Sequence, residues 1–302
     1  MRRNNTTYDS SPKRIHKLLG DPLPPKSSLH SVRDPNGVLH VNPEEVKSVV
    51  HTHFQTELSS TFEADVPPWM LPGCDDPFEL PKYDFPKEWP ETPLSLDRLL
   101  VTEALHRLPV AKAPGPDGIP NEILKFLPDA TIDTIWHVFK AMLASGLVPR
   151  TWCHSTTFLL WKGKKSPDFC EAYRPIAPMN TLLKLWTSIL KTIGSEWVEH
   201  NGLLGDTQDG FRRMRRIFHS HSSLISAMEH AIIHSRNIYI CYIDFRGAFN
   251  NMEHSALFDI MIRLGFPPHY VRLCRNLYSH ATTSIKTPHG NFGPIPIQKG
   301  TL

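Results

Sequence analysis

The chain has 302 residues, 40% apolar and 10% aromatic, enough for one large or two ordinary domains with a sizeable core. Five scattered cysteines without a Cys-x-x-Cys pair argue for a reducing compartment and against a disulfide framework or a zinc finger, no apolar run approaches the ~20 residues of a membrane span, and the polar start MRRNNTTYDSS lacks the apolar centre of a secretory signal. The net charge of +3 is uneven: residues 1–90 carry 10 basic and 13 acidic side chains, residues 91–302 carry 23 and 17, so the rear part is net +6, a mild pointer to a phosphate-bearing partner that ordinary surface charge would also produce.

In chain order, residues 1–30 are polar and basic and run into Asp21-Pro22-Leu23-Pro24-Pro25, a composition that predicts disorder. Asp34-Pro35-Asn36-Gly37 is a turn signal that can join short strands around Val32 and Val38–Val41. Asn42 is placed to cap a helix opened by Pro43, with Val46, Val49, Val50, Phe54 and Leu58 on one face. His51 and His53 face apart on such a helix and read as surface residues. Residues 66–93 are proline-dense and aromatic, an extended linker in which Asp75-Asp76 reads as a solvated turn. Ser95 is expected to cap a helix through Leu108, with Leu96, Leu99, Leu100, Leu105 and Leu108 inward.

Lys112-Ala113-Pro114-Gly115-Pro116-Asp117-Gly118-Ile119-Pro120 is a stiff loop, because proline fixes φ and glycine permits left-handed turns; Lys112 can reach a phosphate from it, although a plain turn has the same composition. Helices are expected over Asn121–Phe126 and Ile132–Ser145, the second ended by Gly146. Thr156–Trp161 reads as a strand, Lys162-Gly163-Lys164-Lys165 as a basic turn, and a second strand is expected before Tyr173-Arg174-Pro175-Ile176. Leu182, Leu185, Trp186, Ile189, Ile193 and Trp197 keep helical spacing and read as core. Gln208-Asp209-Gly210-Phe211-Arg212 leads into Arg213, Arg215 and Arg216, a run that suits a nucleic-acid backbone or a solvated basic loop. A helix is expected over Ser222–His234.

Ile238–Ile243 is apolar, β-branched and aromatic, and reads as a strand buried on both faces. Asp244 follows at once. A carboxylate there is costly unless neutralised, and a divalent cation is one way to do so; a turn-capping aspartate is the plainer alternative. Small residues around Gly247 and Ala248 let backbone amides approach phosphate oxygens, and Phe249 adds a flat ring five positions after Asp244. Beyond Asn251 the pattern gives a helix to Leu264, a helix over about His269–Ser279, and a hairpin of Thr282–Thr287 with Phe292–Ile297.

These blocks, in this order, resemble the reverse transcriptase domain of non-LTR (LINE-type) retrotransposons. The resemblance rests on the Lys112–Pro120 string, Pro149-Arg150-Thr151-Trp152, Tyr173-Arg174-Pro175-Ile176, the Gln208–Arg212 turn, the Asp-x-x-x-Ala-Phe run from Asp244 to Phe249, and Gln298-Lys299-Gly300-Thr301-Leu302. It covers about Val32 to the C-terminus and implies an α+β fold: right-hand polymerase fingers plus an incomplete ferredoxin-like palm, preceded by a proline-rich linker. The expected organisation is residues 1–30 disordered, 31–93 linker with one helix, and 94–302 fingers and partial palm. By resemblance Asp244 is the catalytic carboxylate and binds Mg²⁺, and Lys162 and Arg174 hold the triphosphate. Phe245, Gly247, Ala248 and Phe249 line the nucleotide, with Phe249 rejecting a 2′-hydroxyl. Lys112, Gln208, Arg212, Arg213, Arg215 and Arg216 contact nucleic acid. The implied partners are an RNA template, a DNA primer and deoxynucleoside triphosphates, inside the cell and without a membrane. The Tyr-x-Asp-Asp turn that completes the family's two-metal site is absent from the 302 residues, and Asn250 stands where the family often has aspartate. The chain alone is therefore expected to be inactive. The competing expectations are a non-catalytic RNA-binding relic and, more weakly, an inert product of a degenerate element or a truncated gene model.

Overall fold

The computed structural model describes residues 29–61, 96–112, 114–245 and 247–301. Nearly all of the expected disordered N-terminus, the proline-dense linker, Ser95 as a cap, and Arg246 lie outside the described residues. The chain forms two compact units, one within Met1–His53, Phe158–Ile176 and Ile285–Phe292, the other within Phe54–Thr157, Ala177–Ser284 and Gly293–Leu302.

The second unit is built on helices. Helix α2, Arg98–Arg107, starts where Asp97 accepts a hydrogen bond from the Leu99 amide at 3.0 Å, so the cap is Asp97. (Helix α1, Pro43–Leu58, precedes it in the chain and is divided between the units after His53.) The buried stripe of α2 is Val101, Ala104 and Leu105, continued by Leu108. Leu99, expected inward, is exposed: it lies two positions before Val101 and so about 200° around the helix from it. A short α3, Asn121–Lys125, follows, then α4, Asp129–Ser145, which Gly146 ends in a left-handed conformation at φ 71° with its amide on the Met142 carbonyl. Arg98 binds Asp129 at 2.9 Å and also Asp133, fastening the start of α4 to α2.

Helix α5, Thr181–His200, carries the core: Leu185, Trp186, Ile189 and Ile193 are buried, while Leu182 and Trp197 are half-buried. All but Trp197 pack with Phe139, Met142 and Leu143 of α4 and with Tyr270, Leu273 and Leu277 of the later helix Pro268–Ser279. The rings of Phe139 and Trp186 lie 4.8 Å apart. Each such side chain stabilises by about 1.5–3 kcal/mol on burial. Gly194 in mid-α5 is explained by close approach: a β-carbon there would sit 2.5 Å from the Tyr270 hydroxyl, which donates to the Leu190 carbonyl at 2.9 Å. Burial pushes the Tyr270 hydroxyl pKa up, and that of the Cys274 thiol to about 12. Helix α6, Ile217–Ile233, and α7, His254–Arg263, precede α8, Pro268–Ser279.

In the first unit, β1 (Val32–Arg33) and β2 (Leu39–His40) pair across the Asp34–Gly37 turn, where Asp34 accepts from the Asn36 and Val38 amides. Helix α1, Pro43–Leu58, is capped by Asn42, whose side chain accepts from the Glu44 amide at 2.9 Å, and it buries Val46 and Val50 completely. Strands β3 (His154–Trp161) and β4 (Tyr173–Ile176) run antiparallel with Leu160 opposite Arg174, so the second strand is Tyr-Arg-Pro-Ile itself and not a segment before it. With β5 (Thr282–Thr287) and β6 (Gly290–Pro296) they form a sheet of order β4-β3-β5-β6.

The expectation of a buried central strand is overturned. Ile238–Ile243 is neither a strand nor buried: Tyr239 is 91% exposed, Tyr242 80% and Ile243 78%. A strand satisfies its amides and carbonyls only through a neighbour, and no described strand pairs with this segment. None of the described helices is long and apolar enough to cross a membrane.

Candidate functional site

The turn after Asp244 is held from three directions, all within the second unit. Asn251 donates its amide to the Gly247 carbonyl at 3.0 Å, which closes the turn, with Gly247 at φ 62°. The Thr301 amide donates to the Phe249 carbonyl at 3.0 Å, and the Gly300 amide to the Met252 carbonyl at 2.7 Å. The Phe249 ring meets Phe211 edge to face, with centroids 5.8 Å apart and planes at 90°. Three blocks separated in sequence, Gln208–Arg212, Asp244–Phe249 and Gln298–Thr301, are thus gathered on one turn. Phe211 and Met214 both take left-handed backbone angles, φ 62°, unusual for non-glycine residues.

Asp244 itself is exposed, as are Phe245, Gly247, Ala248 and Phe249. The expectation of an acid at the end of a buried strand is therefore corrected along with the strand. No group of three or more His, Cys, Asp or Glu side chains placed to hold a metal exists among the described residues. Two-metal phosphoryl transfer needs several carboxylates around the ions, so the described residues do not by themselves fit such a site.

Below the turn, Glu253 is buried. Its carboxylate accepts from the Ser60 hydroxyl at 2.8 Å and from the Thr61 amide and hydroxyl at 2.9 and 2.5 Å, and its backbone forms an antiparallel bridge to Lys299. Burial pushes the carboxyl pKa up, but the Thr61 and Ser60 hydrogen bonds and the Lys299 charge outweigh that and hold it below the usual carboxylate range. The Gln298 amide donates to the Leu58 carbonyl, and its side-chain oxygen accepts from the Ser60 amide. Sequence reading missed this strap, since nothing in the residue types of 58–61 announces a partner more than 190 positions away.

The basic loop divides into two kinds of arginine. Arg212 is turned inward, with 9% of its side chain exposed: it grips both Glu199 oxygens at 2.9 and 2.8 Å and donates to the Gly205 and Gln208 carbonyls. That pairing raises the Arg212 pKa and lowers that of Glu199. Arg215 meets Asp206 and Asp209. Arg213 and Arg216 are exposed, and their side chains have no partner among the described residues. Gln208 bonds within its own turn, to the Gly210 carbonyl at 3.2 Å.

Lys112 is exposed beside a loop whose main work is structural. Asp117 accepts from the Thr181 amide at 2.7 Å and so supplies a cap to α5 from a distant loop, while Thr181 donates its hydroxyl to the Ile119 carbonyl. Gly115 lies so close to α5 that a β-carbon would stand 2.2 Å from the Met179 carbonyl oxygen. In the first unit, Lys162 donates its ammonium to the Glu171 carbonyl at 2.8 Å, and Arg174 is exposed on β4 opposite Leu160, with Ile176 opposite Phe158. Phe158, Leu160 and Ile176 are all more than 40% exposed, and Lys286 sits over the Phe158 ring at 5.2 Å.

Residues 162–301 match the family model described as reverse transcriptase (RNA-dependent DNA polymerase). Over these residues the chain is similar to a reverse transcriptase domain. Its homologues include the probable RNA-directed DNA polymerase from transposon BS of Drosophila melanogaster, 25% identical over 79% of this chain and 26% of that protein. The RNA-directed DNA polymerase from mobile element jockey, also of Drosophila melanogaster, is 22% identical over 66% of the chain and 22% of that protein. The probable RNA-directed DNA polymerase from transposon X-element of the same species is 26% identical over 65% and 22%. The chain thus spans about a quarter of the length of these relatives.

Proposed function

We propose that this chain forms the fingers and part of the palm of an RNA-directed DNA polymerase of the non-LTR retrotransposon type, acting on an RNA template, a DNA primer and deoxynucleoside triphosphates. The observation that carries the reading is the gathering of Phe211, Phe249 and Thr301 on the one turn that follows Asp244. In this reading Asp244 supplies one ligand of a divalent-ion site whose other ligands are not among the described residues, and no chemical step is assigned to it alone. Phe249 flanks the sugar, with Phe211 as its backstop, and the backbone of Phe245, Gly247 and Ala248 approaches the nucleotide. Arg174 meets the triphosphate through its planar fork, and the exposed faces of Phe158, Leu160 and Ile176 offer apolar area to a base. Lys162 is held at the hairpin, where it can release the Glu171 carbonyl for a phosphate. Arg213 and Arg216 are the template contacts, whereas Arg212 and Arg215 shape the loop that presents them; Gln208 shapes its own turn.

The test is binding and extension by the whole chain. A fluorescent deoxynucleoside triphosphate should bind in the presence of an RNA–DNA primer-template, and Arg174→Ala should weaken it about tenfold, as the loss of a charge-assisted bidentate contact implies. Undiminished binding in Arg174→Ala would sink the assignment. Primer extension by this chain alone is expected to be undetectable. The exposure of Asp244 favours a second reading, RNA binding without chemistry, in which no nucleotide binds at all.

A further inference from the structure

Away from the Asp244 turn, the second unit holds a recess of about 290 Å³ lined by Arg107, Leu108, Pro109, Lys112, Asn121, Lys184 and Ser188. We propose that this recess binds a single phosphate-bearing nucleotide of a single-stranded RNA. The proposal rests on, and deepens, the reading of Lys112 as a nucleic-acid contact, and it adds Arg107 and Lys184 as partners.

The charge is one-sided: three of the lining residues are cations and none is acidic. Arg107 gives one terminal nitrogen to Glu103 at 2.5 Å, which fixes its stem along α2 and leaves the other face of the fork able to meet an anion. Lys112 is exposed with no partner among the described residues. Within the recess the lining is apolar, from Leu108, Pro109 and the methylene stems of the three cations. A charged rim over an apolar floor complements a nucleotide, whose base is flat and weakly polar and whose phosphate is anionic. The floor is also stiff. Asn121, 1% exposed, donates to the Pro109 carbonyl at 2.8 Å and accepts from the Thr181 hydroxyl, so the wall is pinned to the start of α5. Its size lies at the lower edge of small-ligand pockets, ~300 Å³ and above, which suits one unstacked nucleotide and excludes a duplex.

The experiment titrates the whole chain against a fluorescein-labelled ten-nucleotide oligouridylate by anisotropy over a range of salt. The double variant Lys112→Gln/Lys184→Gln should raise Kd about tenfold and make the plot of log K against log salt shallower by about 1.4, ~0.7 for each phosphate of the single strand that is no longer neutralised. Ser188→Trp, which fills the recess and keeps every cation, should raise Kd about fivefold. Circular dichroism identifies any variant that does not fold, and a 4-thiouridine version of the oligomer should crosslink wild-type chain within Leu108–Asn121. Reduced affinity in the lysine pair with no change in Ser188→Trp would reduce the feature to surface charge and overturn the proposal. So would a crosslink map that omits that segment. If Arg213→Gln/Arg216→Gln weakens binding and the recess variants do not, the recess proposal fails while the template reading stands. If wild-type chain does not bind the oligomer, both fail.

Discussion

Helix α5 and the segment Ile238–Ile243 are both rich in large apolar residues, yet one is the centre of the core and the other is exposed along its length. The difference lies in where each finds hydrogen-bond partners. A helix satisfies its own amides and carbonyls, so Leu185, Trp186, Ile189 and Ile193 only need apolar neighbours, which α4 and α8 provide. A strand must borrow every partner from another strand. Ile238–Ile243 has the composition of a central strand but no described strand beside it, and its side chains stay in solvent. Apolar composition therefore reports an appetite for burial, while the secondary structure that satisfies it depends on what the rest of the fold offers.

The largest expected effect comes from the buried side of this comparison. Trp186→Ala should cost about 3–5 kcal/mol in urea-induced unfolding, because a fully buried ring against Phe139 is replaced by a cavity. A cost below ~1 kcal/mol would break the claim that α5 anchors the unit. Gly115→Ala comes next, at about 3 kcal/mol, since its β-carbon meets the Met179 backbone and not a side chain that can swing away. Thermal melting of that variant measures how firmly the 112–120 loop is bolted to α5.

Glu253 gives a smaller effect with a pH signature. Its folded pKa lies below the ordinary value of 4.5, so the stabilisation it provides is fully present above 4.5 and is lost as pH falls through the lower folded value. Glu253→Gln should cost about 1–2 kcal/mol at neutral pH and flatten the stability curve at acid pH. An unchanged acid limb in chemical denaturation would show that the carboxylate is not the group that matters. The smallest effect belongs to the exposed segment: Tyr239→Ser should change stability by no more than about 0.5 kcal/mol. A loss above ~1 kcal/mol would mean that the segment is packed in solution, and the contrast with α5 would collapse.

The legible parts of the fold were those with local cause. Helical spacing marked Leu185, Trp186 and Ile189, Gly146 marked the end of α4, and the Asp34–Gly37 and Pro288–Asn291 turns marked their hairpins. Asp97 caps α2, and residue types alone did not single it out from Ser95, since both types cap helices equally well. At the candidate site, residue types marked the Gln208–Arg212 and Asp244–Phe249 blocks but did not reveal that Phe211 touches Phe249, or that Arg212 is consumed by Glu199. Nor did they reveal that Asp117 caps a helix sixty-four positions downstream. Those pairings depend on where distant backbone is brought, which periodicity does not encode.

The strap at Glu253 also sets a schedule. Ser60 and Thr61 are fastened by Glu253, 193 and 192 positions later, and Gln298 closes over Ser60 only 238 positions on. During synthesis the tail of α1 must therefore wait while nearly the whole chain leaves the ribosome, and the floor beneath the Asp244 turn is assembled last. Helices α2, α4 and α5 can pack as they emerge, so a nascent chain of this design would acquire its scaffold well before the ground on which the Asp244 turn stands.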